Sequence, residues 1–298
     1  MNFELNTPET SAPTISSAAM LSELSISVWT GRKKDKRASD DVTTQSHAAK
    51  GVASVNKKLL GDCEELVSIQ KFASNVRTVH YASTMPWSDT GMRLLPTAQY
   101  FKYHEQMTQL QNEFDRLVQV FLDAYDWEVM QAQTKLGSLF IRDEYPTLDS
   151  LRDKFGFRLN YIPVPDAGDW RVDMGNETQN ALRSQYQKFY GEQMERAMRD
   201  VWQRLHDELK RFIKQLDVDA SGRKGKIYQS TMDHVMHLLD MMDATNFTND
   251  PTLQLSQAKL RQTLTGLTPS DLRGSDMVRQ ATKRDLEEAI KSLPSLDM

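Results

Sequence analysis

The chain contains a single cysteine, Cys63, so no intramolecular disulfide can form, and a lone thiol in helical context reads as a small buried apolar group in a reducing compartment. Long apolar runs are missing too. None approaches the roughly 18 residues that a membrane span requires, so no membrane association is expected. The 13 glycines are dispersed rather than clustered to cradle phosphate. No G-x-x-x-x-G-K loop followed by Ser or Thr, no dinucleotide fingerprint and no nucleophile elbow occurs. The expectation is therefore a chain without a nucleotide site or cofactor of its own. Charge of one sign is lacking as well: 41 acidic against 37 basic side chains leave a net −4, which excludes a global field for polyanions and confines any nucleic-acid binding to a local patch. The opening "MNFELNTPETSAPTISSAAM" has neither the basic start nor the apolar centre of a secretory signal, and the expected location is cytoplasmic.

The 298 residues are 39% hydrophobic, enough for a real core. Residues 1–19 offer few large apolar groups and read as a disordered tail. In "LSELSISVWT", Leu24, Ile26 and Val28 alternate with Ser25, Ser27 and Trp29, the period of a half-buried strand. Ser39-Asp40-Asp41 resembles a helix start, and Leu66, Ile69, Phe72, Ala73, Val76 and Val79 line one face of a helix from about residue 62. Together, residues 20–95 form a strand-helix region.

The strongest periodic signal follows. Tyr103, Met107, Leu110, Phe114, Leu117 and Phe121 make a heptad seam on a helix spanning about 97–140, and Met194, Ala197, Val201, Leu205, Phe212 and Leu216 mark a second long helix over about 177–216. The fold class expected is mainly α: a long antiparallel, coiled-coil-like helical hairpin over 96–216, with a β insert at 155–174 and a group of shorter helices over 217–298. The insert offers two short strands, "FGFRLNY" and "DWRVDM", and the first should pair with the amino-terminal strand or with "MRLL", because a lone two-stranded ribbon is marginal.

Four patterns suggest chemistry. Arg32, Lys33, Lys34, Lys36 and Arg37 could neutralise phosphates, or they could be a solvated turn that protects an edge strand. His234, His237 and Asp240, three residues apart on a helix, could bind a metal or simply flank a core face. "DVDASGRKGKIY" begins like a calcium loop, but its twelfth position is Tyr228 where a bidentate Glu belongs, so a polar helix-to-helix turn is the better reading. Trp87, Arg93, Tyr161, Trp170 and Arg171 combine aromatic and arginine character suited to a protein interface, or they cap the hairpin core.

Three stretches, "ISVWTGRKKDKRAS", "PWSDTGMRLLPTAQYFKY" and "FGFRLNYIPVPDAGDWRVDM", together resemble a domain-of-unknown-function family of tailed bacteriophages and some bacteria, over about residues 20–270. Genes of that family often lie beside a MoxR-type AAA+ ATPase, similar to the small cobaltochelatase subunit, and a von Willebrand factor A protein. The resemblance implies a non-enzymatic adaptor, client or scaffold that works with those two partners in the host cytoplasm. It transfers no catalytic residues. A nucleic-acid-binding protein using residues 31–37, and a virion structural or assembly protein, are the alternatives; homo-oligomerisation stays open.

Overall fold

The structure is a computed structural model that describes residues 18–164, 176–218, 224–245 and 251–292. The elements run β1 (Ala19–Ser27), β2 (Arg32–Asp35), α1 (Lys36–Gln45), β3 (Val55–Lys58), α2 (Glu64–Ser83), β4 (Met85–Pro86), β5 (Arg93–Pro96), α3 (Tyr100–Leu136), α4 (Leu148–Arg152), β6 (Gly156–Pro163), α5 (Asn176–Leu216), α6 (Gln229–Thr245), α7 (Pro251–Leu264), α8 (Pro269–Gly274) and α9 (Asp276–Ser292). The chain is mainly helical with a small antiparallel sheet, and among the described residues no helix is long and apolar enough to cross a membrane. Two compact units partition it: a helical unit (1–23, 83–102 and 161–298) and a ribbon unit (24–82 and 103–160).

In the helical unit, α5 presents Ala197, Val201, Leu205, Leu209, Phe212 and Leu216 at helical spacing, all nearly fully buried. That stripe meets Val235, Leu238, Leu239 and Met242 of α6 and Leu286 and Ala289 of α9, with Leu260 and Leu264 of α7 completing the cluster. Burying each such side chain contributes about 1.5–3 kcal/mol relative to exposure. The sheet runs β4-β5-β1-β6. Within it β1 pairs antiparallel with β5, Ala19 opposite Pro96 and Ser22 opposite Arg93, and sends Ala19 and Leu21 into the same core. The "MRLL" segment and the first insert strand thus join one sheet with the amino-terminal strand, as their spacing predicts. The expected second insert strand and all but the last two residues of the expected tail lie outside the described residues.

Local chemistry ends the helices here. Thr268 caps α8, accepting from the Asp271 amide at 3.3 Å while the Asp271 carboxylate accepts from the Thr268 amide at 2.9 Å, a reciprocal box that also holds the Asp271 carboxyl below its usual range. The end of α5 is closed by a residue far away in sequence. Arg279 of α9, only 1% exposed, donates from Nε to the Leu216 carbonyl at 2.8 Å and from Nη2 to the Gln215 carbonyl at 2.6 Å. Gly225 lies so close to that helix end that a Cβ on it would come within 2.4 Å of the Gln215 carbonyl oxygen.

In the ribbon unit, the α3 seam buries Tyr103, Met107, Phe114, Val118, Phe121, Leu122, Tyr125, Val129 and Ala132 along a helix about 55 Å long. Its partners belong to its own unit. Trp29 lies 6.2 Å from Phe121 and 6.1 Å from Tyr125, Phe157 packs 5.9 Å from Phe114, and Phe155 sits 5.6 Å from Phe121. Leu66, Ile69, Ala73 and Val76 of α2 are buried in the same unit. The expected hairpin is not shown: the two long helices belong for almost all of their length to different units, each with an apolar stripe used inside its own unit. The heptad spacing is real, but it is satisfied by aromatic groups from strands and loops.

Gly31 makes the turn between β1 and β2 at φ +62°, and a Cβ there would strike Leu66 at 2.7 Å. The expected charged exit turn is therefore a second strand: β2 pairs antiparallel with β3, Arg32 opposite Lys58 and Asp35 opposite Val55. Helix α1 starts at Lys36, earlier than the Ser39-Asp40-Asp41 signal predicts, because Asp35 accepts from the Ala38 amide at 3.1 Å and takes the cap.

Candidate functional site

The β2–β3 ribbon is the site with the clearest chemical character. Cross-strand neighbours share a face, so Arg32, Lys34, Asn56 and Lys58 lie on one side, and all four are exposed. On the other side Lys57 is buried, its ammonium 2.6 Å from a Glu144 carboxylate oxygen and donating to the Leu139 carbonyl at 2.8 Å. That pair ties the ribbon to the unit. Ser39 of α1 adds a second tie, accepting from the Val55 amide at 3.0 Å. Lys33 is exposed, as are Lys36 and Arg37 in the first turn of α1, which contains no acidic residue. The structure leaves all five sequence-selected cations exposed, with Lys33 on the Lys57 side of the ribbon and Arg32 and Lys34 on the other, and among the described residues none of them takes part in an ion pair.

Beside the ribbon, Trp29, Thr30, Arg32, Gln70 and Arg77 line an open groove of about 520 Å³. Arg77 Nη2 donates to the Ile26 carbonyl at 2.8 Å, and Gln70 Nε2 donates to the Trp29 carbonyl at 3.3 Å. These α2 side chains satisfy the backbone where β1 leaves the sheet.

A different cluster comes from residues far apart in sequence. Cys63, Glu65 and Glu128 place a thiol and two carboxylates within 4.8 Å of one another, the one such group of three among the described residues. The Cys63 thiol donates to Glu65 at 3.4 Å, and Glu128 Oε2 is buried without a hydrogen-bond partner. Burial, reinforced by the two carboxylates, pushes the thiol up to about 11. Burial likewise pushes Tyr125 and Tyr145, whose hydroxyls donate to the Pro146 and Leu59 carbonyls, up to about 12. All three groups are held neutral by the fold, whereas in the unfolded chain they ionise near 8.5 and 10. Their stabilising contribution is complete below about pH 8.5 and is lost as pH rises toward 12. The native thiol is expected to react with a thiolate-directed reagent at pH 8 about 100-fold more slowly than in denaturant, and alkaline titration should unfold the ribbon unit with release of tyrosinate absorbance. A fully reactive native thiol would contradict this environment.

The proposed metal triad does not assemble. His234 is exposed with Nδ1 3.7 Å from Glu208, and Asp240 is held at 2.8 Å by Arg261, which also bonds Asp243. His237 belongs to no group of three potential ligands among the described residues. Steps of three drift around a helix, and here His234 and Asp240 go to different partners. In the calcium-like loop, Asp217 is bound by Lys283 at 2.6 Å, while Asp219, Ser221 and Gly222 lie outside the described residues.

Of the interface candidates, Trp87 is buried and stacked on Tyr190 at 5.8 Å, and Arg93 donates to the Thr84 hydroxyl at 2.7 Å and carbonyl at 2.8 Å. Tyr161 is half-buried, edge-on to Tyr100 at 5.0 Å. Trp87 belongs to the core of the helical unit, Arg93 and Tyr161 are half-buried, and Trp170 and Arg171 lie outside the described residues. Other large apolar side chains are exposed on α3. Val120, Trp127 and Met130 on the solvent side of α3 are 44%, 58% and 58% exposed. Their spacing of seven and three, off the heptad seam, was a signal available in the sequence. No family model, curated protein or solved structure matches the chain.

Proposed function

We propose that the protein is a non-enzymatic adaptor, client or scaffold in an assembly with a MoxR-type AAA+ ATPase and a von Willebrand factor A protein. The resemblance of its three sequence stretches to the phage and bacterial family names the partners. The observation that supports a docking role is the outer stripe of α3: a helix whose seam is fully used inside the ribbon unit still exposes Val120, Trp127 and Met130 on its other side. A tryptophan and a methionine exposed on a rigid helix are the residue types that anchor interfaces.

The test is co-purification with a MoxR-type AAA+ ATPase and a von Willebrand factor A protein, followed by affinity measurement. Trp127→Glu combined with Met130→Glu should weaken binding by at least about 30-fold, the size expected of a hot spot of 2 kcal/mol. The thermal midpoint should not fall, since both side chains face solvent. Failure of the wild-type chain to bind either partner would end the proposal.

A further inference from the structure

We propose that the β2–β3 ribbon and the first turn of α1 form a grip for the phosphate backbone of nucleic acid. The inference is independent of the partner assignment above and rests on placement, burial and charge.

Five cations within a six-residue stretch, Arg32 to Arg37, are exposed and without an ion-pair partner among the described residues. Lys58 extends the same face from β3, although Asp62 meets it at 2.7 Å. Unpaired like charges at this density repel one another, and a bound polyanion relieves that repulsion. Lys36 and Arg37 stand at a helix N-terminus capped by Asp35, where the backbone dipole favours anions, so an incoming phosphate would meet both their charge and the dipole. The surface is also built to stay in place. Lys57 anchors the inner face through Glu144 and the Leu139 carbonyl, Ser39 ties α1 to β3, and Gly31 sets the entry turn. A preorganised surface spends less of its binding energy on ordering itself.

The chemistry selects nucleic acid over other anionic surfaces. Arg-Lys-Lys-Asp-Lys-Arg contains no aliphatic or aromatic side chain to insert into lipid. Lysine is depleted from protein–protein interfaces, while Lys and Arg contacts to phosphate are the sequence-independent core of nucleic-acid affinity. A two-stranded ribbon is one of two protein elements that fit the major groove, and four paired residues span about 14 Å, comparable to the groove's width of about 12 Å. With Asn56 the only uncharged polar side chain on the outer face, the contacts position the chain without reading sequence.

The experiment uses the full chain and a short duplex DNA, titrated from 50 to 200 mM salt, with the single strand as a parallel arm. Four phosphate contacts, with Lys33 on the other side of the ribbon, predict a slope of log affinity on log salt of about −3.6 for duplex and about −2.8 for single strands, so the duplex affinity should fall about 150-fold over that range. Neutralising the cluster (R32Q, K33Q, K34Q, K36Q, R37Q) should reduce affinity at 50 mM salt at least about 100-fold and flatten the slope. A control of equal net charge carries K71Q, K102Q, K154Q, K188Q and K210Q, all exposed and outside the ribbon, and should change affinity only a few-fold. Circular dichroism of both variants establishes that they fold. The proposal is overturned by absent duplex and single-strand binding at 50 mM salt, by equal losses in the two variants, or by phosphatidylserine vesicles or polyglutamate binding the cluster as tightly as DNA.

Discussion

Replacing Arg279 by methionine is expected to destabilise the helical unit by about 3–5 kcal/mol, among the largest losses available to a single substitution. The last four carbonyls of any α-helix lack intrahelical donors. In α5, which carries the core stripe of its unit, Arg279 serves this end through Leu216 at 2.8 Å and Gln215 at 2.6 Å, with longer reaches to Asp217 at 3.2 Å and Gly225 at 3.4 Å. Because the side chain is 1% exposed, water cannot replace it without opening the packing of α9 on α5. Methionine fills similar volume and donates nothing, so two or more carbonyls lose their partners at about 1–3 kcal/mol each. Lysine keeps one donating head and should recover part of the loss, since it cannot reproduce the planar fork. Denaturant unfolding followed by helical signal measures the effect as a lower midpoint. A methionine variant within 1 kcal/mol of wild type would show that the cap is dispensable.

The second large effect concerns Lys57 and Glu144. Their side chains are 7% and 17% exposed and 2.6 Å apart, so each is the other's main compensation for lost hydration. Glu144→Leu leaves a buried ammonium with the Leu139 carbonyl as its remaining acceptor, and the expected cost is about 3–5 kcal/mol. Lys57→Met alone strands the carboxylate and should cost a similar amount. The double variant Lys57→Met with Glu144→Leu removes both charges, and its loss should be far smaller than the sum of the two singles. Additive losses in this cycle would mean that the pair does not act as a unit. The ribbon's position depends on this anchor, so the single variants should also weaken DNA binding, although neither removes an exposed cation.

Much of the secondary structure could be read directly. The period of two in "LSELSIS", the heptad from Tyr103 and the α5 stripe each reflect a local rule that acts within a few residues. The opening basic stretch was harder. Asp35 took the helix cap five residues before Asp40, directly after a strand, Arg32–Asp35, whose pairing partner β3 lies beyond the intervening helix.

Alternation and heptad spacing state that a face will be buried, and that much belonged to the sequence alone: a mainly helical chain, its long helices, the strands β1 and β6 and a basic cluster in a net-negative whole. Which surface covers each face was decided only in three dimensions, since apolar burial has no direction and one seam can be satisfied by another helix or by Trp29, Phe155 and Phe157. The same holds for charge. Nothing in the one-dimensional order distinguishes buried Lys57 from exposed Lys58 beside it, or brings Arg279 to the end of α5 and Glu128 to Cys63. Those pairings depend on separations of a few ångströms between residues tens of positions apart, and only the packed units supply them.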